Sequence, residues 1–507
     1  MFNRHTKFRA SLITLALATA SGHTALAAGH GGAIALPQVE DPYFKSAEAR
    51  IARAPAPAHA RNVILFIGDG MGIATVTAAR IRAGQLKGVD GESYNLTLDS
   101  FPHTGFSRTY SHDNQVADSA STITAITTGV KTRSGVIGLS SAIKRDSCNG
   151  PQDGEVRTLF EIAEARGLAT GVVTTARITH ATPAGVYAHT SERNWEGFAA
   201  DGVTACPDIA QQLVQWPFGD GLEIAMGGGR EAFLPVDADD PEGNEPKARR
   251  QDGQDLTRVW LGKSPGRRYI WNSSQFAQTN FNSDIQVLGL FAPSHMAYEE
   301  DRAQDKGGEP SIAEMTRASI QRLSREKKGY VLMIEGGRID HAHHAGNARR
   351  ALSETIAMDE AIKAALDMTD PKDTLIIVTA DHSHTLTIAG YAARNNPILG
   401  MAGLDEDGKP ATRDGKPYST LGYANGPGSV FLPSGDSPVG GRPDPSEGDP
   451  EDLEYRQQSL VPMNSETHGG EDVPIFAWGP GADQVAGTME ENTLFLVMAR
   501  ALGFKFH

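Results

Sequence analysis

The chain has almost no cysteine: two thiols, Cys148 and Cys206, serve 507 residues. A zinc site built from thiolates needs more sulfur than that, so any divalent metal must be held by oxygen and nitrogen. A basic excess is missing too. Lys and Arg number 47 against 62 Asp and Glu, a formal charge of −15. That balance argues against broad nucleic-acid binding. It leaves room for a phosphorylated substrate, because metals and a single arginine can dominate the field of one site. No apolar run is long enough to cross a bilayer, which takes roughly 20 residues. No G-x-S-x-G elbow between a strand and a helix supports a serine esterase, and no G-x-x-x-x-G-K-[ST] loop supports an ATPase.

What is present begins with an export signal. Arg4, Lys7 and Arg9 form a basic start, Leu12–Ala20 a short apolar stretch, and Ala25-Leu26-Ala27 a small-x-small cleavage pattern. Residues 1–27 therefore read as a signal peptide and the protein as exported, periplasmic or secreted. In that compartment an even pair of cysteines reads as one disulfide. Residues 28–60, rich in Ala, Pro and His, read as an N-terminal arm, with order expected from Asn62–Ile67 onward.

One large domain is expected over 61–507. Apolar runs of strand type occur at Asn62–Ile67, Ala169–Thr174, Leu222–Met226, Tyr330–Ile334, Thr374–Thr379 and Val473–Ala477. Helical patterns lie between several of them, at Glu155–Arg166, Ile312–Glu326 and Arg349–Asp367. Continuously apolar strands alternating with helices predict an α/β fold, a large mainly parallel sheet covered by helices on both faces. Such sheets take ligands at the C-terminal strand ends, and Asp69, Glu335 and Asp381 all follow apolar runs there. Residues 392–465 break the rhythm with Gly, Pro, Asp and Ser and read as a loop-rich insertion. There are no internal repeats.

Three separated stretches look like parts of one metal site: Glu335–His344 (EGGRIDHAHH), Thr379–His384 (TADHSH) and Glu466–Glu471 (ETHGGE). Asp340 and His344 are four apart, so a helix would present both on one face. Asp381-His382 is a second carboxylate–imidazole pair, and such donors suit zinc. Alone, an Asp-His at a strand end is ordinarily a capped turn; the three stretches together outweigh that reading. Asp118-Ser119 precedes a helix-compatible segment, where the helix N-terminus favours a phosphate, although most such pairs only cap. Arg193 could clamp two phosphate oxygens or make a surface ion pair. Thr182 offers a hydroxyl to a hard cation such as magnesium.

From about residue 60 onward the chain resembles the alkaline phosphatase family, and its animal branch more than its enteric bacterial branch. The resemblance rests on DGMG (Asp69–Gly72), DSAS (Asp118–Ser121), THATPAG with ERNW, EGGRIDHAHH, TADHSH and ETHGGED, in family order. It implies a phosphate monoester hydrolase with a transient phosphoserine at Ser119, an alkaline optimum, and Arg193 on the non-bridging oxygens. It also implies two zinc ions and one magnesium per subunit. Asp69, Asp381 and His382 would hold the zinc near the nucleophile, and Asp340, His344 and His468 the zinc near the leaving group. Asp69, Thr182 and Glu335 would hold magnesium. His180 and His341 match the animal pattern beside that third site, leaving zinc or cobalt as rival occupants. Tyr391 resembles the tyrosine that one subunit of a homodimer inserts near its partner's site. Cys148 and Cys206 match one family disulfide. Glu242 and Glu309 match two acids of the animal calcium site, but Ala292 replaces a third, so calcium binding is expected to be weak or absent.

Rival readings are a phosphodiesterase, sulfatase or phosphoglycerate mutase on the same scaffold, or a phosphate- or zinc-binding protein without turnover. Neither a specific nucleic-acid partner nor a membrane span is expected.

Overall fold

The computed structural model describes residues 33–148, 154–197, 206–243, 250–402, 412–429 and 444–507. The expected signal peptide lies outside the described residues. Ten strands build one sheet. In chain order they are β1 (Asn62–Gly68), β2 (His103–Arg108), β3 (Ala169–Arg177), β4 (Ile224–Gly228), β5 (Arg267–Ile270), β6 (Gln286–Leu290), β7 (Tyr330–Gly336), β8 (Thr374–Ala380), β9 (Val473–Trp478) and β10 (Gly487–Glu490). Across the sheet they run β10-β2-β9-β8-β1-β7-β3-β4-β6-β5. Among the described strands of this sheet only β9 is antiparallel, to β2 and β8. The other pairings are parallel, for example β1 with β7 and β8.

The central strands are apolar throughout because both faces are covered. In β1, Val63, Leu65 and Ile67 enter one core while Ile64 and Phe66 enter the other. The strand period of two sorts them. Five of the six expected apolar runs lie within strands; the sixth, Leu222–Met226, overlaps β4, which starts only at Ile224. The sequence reading missed β2, β5, β6 and β10, which are short or marginal. β2 alternates buried and exposed positions, and β5 opens with two arginines at the sheet edge.

The expected helices at 312 and 349 form as Ile312–Leu323 and Ala348–Met368. The one expected from Glu155 is shorter, Leu159–Ala165. There the Thr158 hydroxyl accepts from Glu161 N and the Glu161 carboxylate accepts from Thr158 N. That reciprocal cap fixes the start four residues late.

Order also begins before Asn62. Asp41 caps a helix at Pro42–Ile51 whose Phe44, Ala47 and Ile51 are buried. Phe44 packs on Phe495 of the last helix, Thr493–Ala501, with ring centroids 5.9 Å apart. Around the loop-rich region, the described residues form a small three-stranded sheet of Leu386–Ile388, Leu421–Gly426 and Ser459–Pro462. No helix among the described residues is long and apolar enough to cross a membrane.

Candidate metal centre and nucleophile

Parallel register gathers the carboxylates. Ile67 pairs with Glu335, and Gly68 with Ala380. Asp69, Glu335 and Asp381 therefore meet at one end of three adjacent strands, each fully buried. Burial first, then Asp381, Asp340 and Glu335, push the Asp69 carboxyl well above its ordinary range. Burial likewise pushes Glu335 up to about 8, against a hydrogen bond from Thr174.

Buried Asp69 Oδ1 and Oδ2, Asp381 Oδ2, Glu335 Oε1, Thr182 Oγ1 and His180 Nδ1 have no hydrogen-bond partner. Hiding that many acceptors from water is costly unless a cation receives them. The donor set of carboxylate, imidazole and hydroxyl fits zinc and magnesium.

Two clusters of ligand atoms stand out. In the first, His382 Nε2 lies 3.4 Å from both Asp69 Oδ1 and Asp381 Oδ2. The Gly70 and His382 amides donate to Asp381 Oδ1 at 3.0 Å and leave Oδ2 free. In the second, His344 Nε2 lies 3.3 Å from Asp340 Oδ1, and His468 Nε2 lies 3.4 Å from that same oxygen. The far nitrogens are held by carbonyls: His344 Nδ1 by Glu466 O at 2.5 Å and His468 Nδ1 by Ala117 O at 2.8 Å. Such contacts fix the rings and leave both Nε2 atoms facing the shared Asp340 oxygen, the orientation a metal site needs. Burial and the neighbouring histidines keep His382 far below its ordinary pKa, which suits it to act as a neutral metal donor. A third potential group joins Asp69, Glu335 and His180.

Ser119 opens the helix Ser119–Thr128, with Asp118 as its cap accepting from Ser121 N. Its Oγ sits 3.2 Å from His382 Nε2, at the edge of the first cluster. Arg193 Nη1 donates to Asp118 Oδ2 at 3.0 Å, and Nη2 lies 3.1 Å from His180 Nε2. One aspartate thus caps the Ser119 helix and orients Arg193. Burial works against the Arg193 charge, but Asp118, with Asp69 and Asp340, holds its pKa above the ordinary value.

A family model for alkaline phosphatase matches residues 60–504. The chain belongs to the alkaline phosphatase family. Its curated relatives include the tissue-nonspecific alkaline phosphatase of Gallus gallus, 41% identical over 453 residues, covering 87% of this chain and 84% of that one. The alkaline phosphatase of Gadus morhua is 42% identical over 451 residues, covering 87% and 91%. Among solved structures, Thermus thermophilus alkaline phosphatase has a TM-score of 0.62 at 25% identity, covering 89% of this chain and 94% of that one. The enzyme from the Antarctic bacterium TAB5 shares the fold with a TM-score of 0.59 at 23% identity, covering 88% and 99%. The animal likeness seen in the motifs extends over most of the chain.

Set against this alkaline phosphatase scaffold, the expected residues divide. Asp69, Thr182, Glu335, Asp340, His344, Asp381, His382, His468, Ser119, Arg193 and His180 converge at one end of the sheet, with His341 against His180 at a centroid distance of 5.4 Å. Tyr391 stands apart, fully exposed. Cys148 and Cys206 are joined, with Cα atoms 6.0 Å apart.

Three residues escaped the sequence reading. His384 is wedged between Asp340 Oδ1 at 2.7 Å and Glu466 Oε2 at 2.5 Å. Burial opposes its charge, yet the two carboxylates push its pKa up to about 10. The signal was there: His384 is two residues beyond His382, the spacing that faces one side of an extended chain. Glu466 sits inside a quoted motif but carries no ligand spacing. His295 packs 4.0 Å from His341, ring to ring, and nothing local marks it.

Proposed function

We propose that this alkaline phosphatase hydrolyses phosphate monoesters through Ser119. The carrying observation is the Ser119 hydroxyl beside His382, Asp69 and Asp381, with Arg193 aimed at the same point by Asp118. Two zinc ions, one at Asp69, Asp381 and His382 and one at Asp340, His344 and His468, would supply positive charge against the entering and leaving oxygens. Magnesium fits Asp69, Thr182 and Glu335, whose orphaned oxygens support an oxygen-preferring ion.

Ser119 Oγ loses its proton and bonds to phosphorus as the ester P–O bond opposite it breaks. The alcohol departs with a proton. Water then attacks the phosphoserine, and inorganic phosphate leaves. Arg193 holds two equatorial oxygens throughout, and the N-terminal amides of the Ser119 helix favour their charge. Two in-line steps retain configuration at phosphorus, and activity rises with pH as the hydroxyl and water lose protons.

Arg230, itself fully buried, lies 2.9 Å from Glu242 Oε1 and grips Asp240. This resident guanidinium supports the reading that calcium binding at Glu242 and Glu309 is weak or absent. The Cys148–Cys206 bond supports export. A homodimer is supported by an apolar groove lined by Ile73, Val76, Thr77, Phe106, Ile475 and Phe476, and by exposed Tyr391.

The test combines turnover of a chromogenic phosphate ester, with and without a chelator, and acid-quench trapping of labelled phosphate. Chelation should abolish turnover, and label should sit on Ser119. Turnover that survives chelation, or label on another residue, removes this mechanism.

A further inference from the structure

Glu466 is 1% exposed, and no lysine or arginine pairs with it among the described residues. Its contacts point to one place. Glu466 N donates to His344 O at 2.9 Å, and Glu466 O accepts from His344 Nδ1 at 2.5 Å. One carboxylate oxygen, Oε1, accepts from Thr385 N at 2.7 Å and Thr385 Oγ1 at 2.6 Å. The other, Oε2, faces His384 Nδ1 at 2.5 Å, and His384 Nε2 faces Asp340 Oδ1 at 2.7 Å. His468 pairs with His384 across a two-stranded ladder. Each of Asp340, His344 and His468 is therefore tied to Glu466, directly or through one intermediate. Asp381 is held instead by the Gly70 and His382 amides. No hydrogen bond joins Asp69, Asp381 or His382 to Glu466 among the described residues.

We infer that Glu466 is the positioning residue of one metal site and not of the other: through His384 and its own carbonyl it fixes Asp340 and His344, and with them the geometry that also includes His468. The inference rests on the proposed grouping of those residues around one ion. His384 can lie near the ion without being its ligand, because its Nε2 is spent on Asp340. The Glu466 carboxylate locks that ring so that its N–H meets Asp340 Oδ1 and leaves the rest of the carboxylate to the ion. Outer contacts of this kind typically change metal affinity by about 10- to 100-fold when removed. A glutamine at 466 keeps the shape and the Thr385 contacts. It turns an amide N–H toward His384 Nδ1, so the ring no longer has a carboxylate behind it.

The experiment uses the full chain stripped of metal by a chelator and titrated with zinc against a chromophoric competitor. Metal content per chain and the melting temperature of the metal-free protein are read in parallel. In Glu466→Gln, one zinc equivalent should weaken by about 10- to 100-fold while the other equivalent keeps its wild-type affinity. Activity should return as free zinc is raised. His384→Gln is the second variant should the first fail to fold, and it should lose the same equivalent. Where both fold, the double variant should be no worse than the weaker single, since both act through one chain of contacts. Unchanged zinc affinities overturn the inference. So does equal weakening of every equivalent alongside a lower melting temperature, the mark of a merely structural role. A wild-type protein that takes up no zinc overturns the metal-centre reading itself, and this inference with it.

Discussion

Arg193 shows how much one side chain can be asked to decide. Its guanidinium is oriented by Asp118 and backed by His180, and in the proposed role it would present two parallel N–H groups to two phosphate oxygens. A monoester presents oxygens that a diester lacks. Arg193→Ala should weaken inhibition by inorganic phosphate and monoester turnover by roughly 10- to 100-fold, with a smaller loss on a diester. Equal losses on the two ester classes would take Arg193 out of this role.

His180 offers a second residue-level test. Its unpartnered Nδ1 belongs with Asp69 and Glu335. An imidazole holds hydrated magnesium less tightly than a carboxylate does. His180→Asp should therefore raise magnesium affinity in the metal-stripped protein and move the activity optimum toward lower pH. Superimposable magnesium titrations with the same pH profile would leave His180 as only a hydrogen-bonding neighbour of Arg193.

At the scale of elements, the C-terminal ends of β1, β7 and β8 carry site residues, while the N-terminal ends of strands must close the fold. β3 illustrates the second task. Thr170 Oγ1 donates to Glu164 Oε1, and Thr170 N donates to Glu223 Oε2, both at 2.7 Å. These join the helix Leu159–Ala165 to the sheet. Burial, reinforced by Glu223, raises the Glu164 pKa from 4.5 to about 10; burial raises Glu223 to about 8. Both carboxyls stay protonated in the folded chain where the unfolded chain would ionise. The sign is that of a raised folded-state value: stability is complete at acid pH, declines above the ordinary carboxylate range, and is lost as pH rises through the folded value. An enzyme working in alkali bears that cost. Glu164→Gln should melt with wild type at about pH 4 and several degrees above it at about pH 9. A constant difference across that range, or one that shrinks with pH, would contradict the sign.

At the scale of the molecule, one covalent link closes a long loop. Cys148 and Cys206 are 58 apart in sequence, and the segment between them carries β3, His180, Thr182 and Arg193. The loop-entropy model assigns about 4 kcal/mol to such a closure. Asp69, Asp340, His344, Asp381, His382 and His468 all lie outside the loop. Reduction should therefore lower the melting temperature while zinc content holds, as denaturation and metal analysis of the reduced protein would show. Two free thiols in the purified protein, found by mass spectrometry, would contradict this account.

What the sequence by itself determined is what short-range pattern encodes. Apolar runs marked β1, β7 and β8, and the carboxylates just beyond them named the ligand end of a parallel sheet. The Asp340–His344 spacing suits one face of a helix, and the helix Arg338–His344 forms there; Asp118-Ser119 suited a capped helix start, which also forms. Tertiary structure decided the rest. Nothing in Val473–Ala477 says that β9 runs backward between β2 and β8, although that placement brings the chain back past His468. The helix Pro42–Ile51 was unreadable because its apolar side chains need Phe495 to be buried against. Glu466 and His384 form their contacts across 82 residues, and His295 reaches His341 from a distant part of the chain. Local sequence fixes torsion preferences and faces; which faces meet depends on burial and hydrogen bonds that exist only once the whole chain has folded.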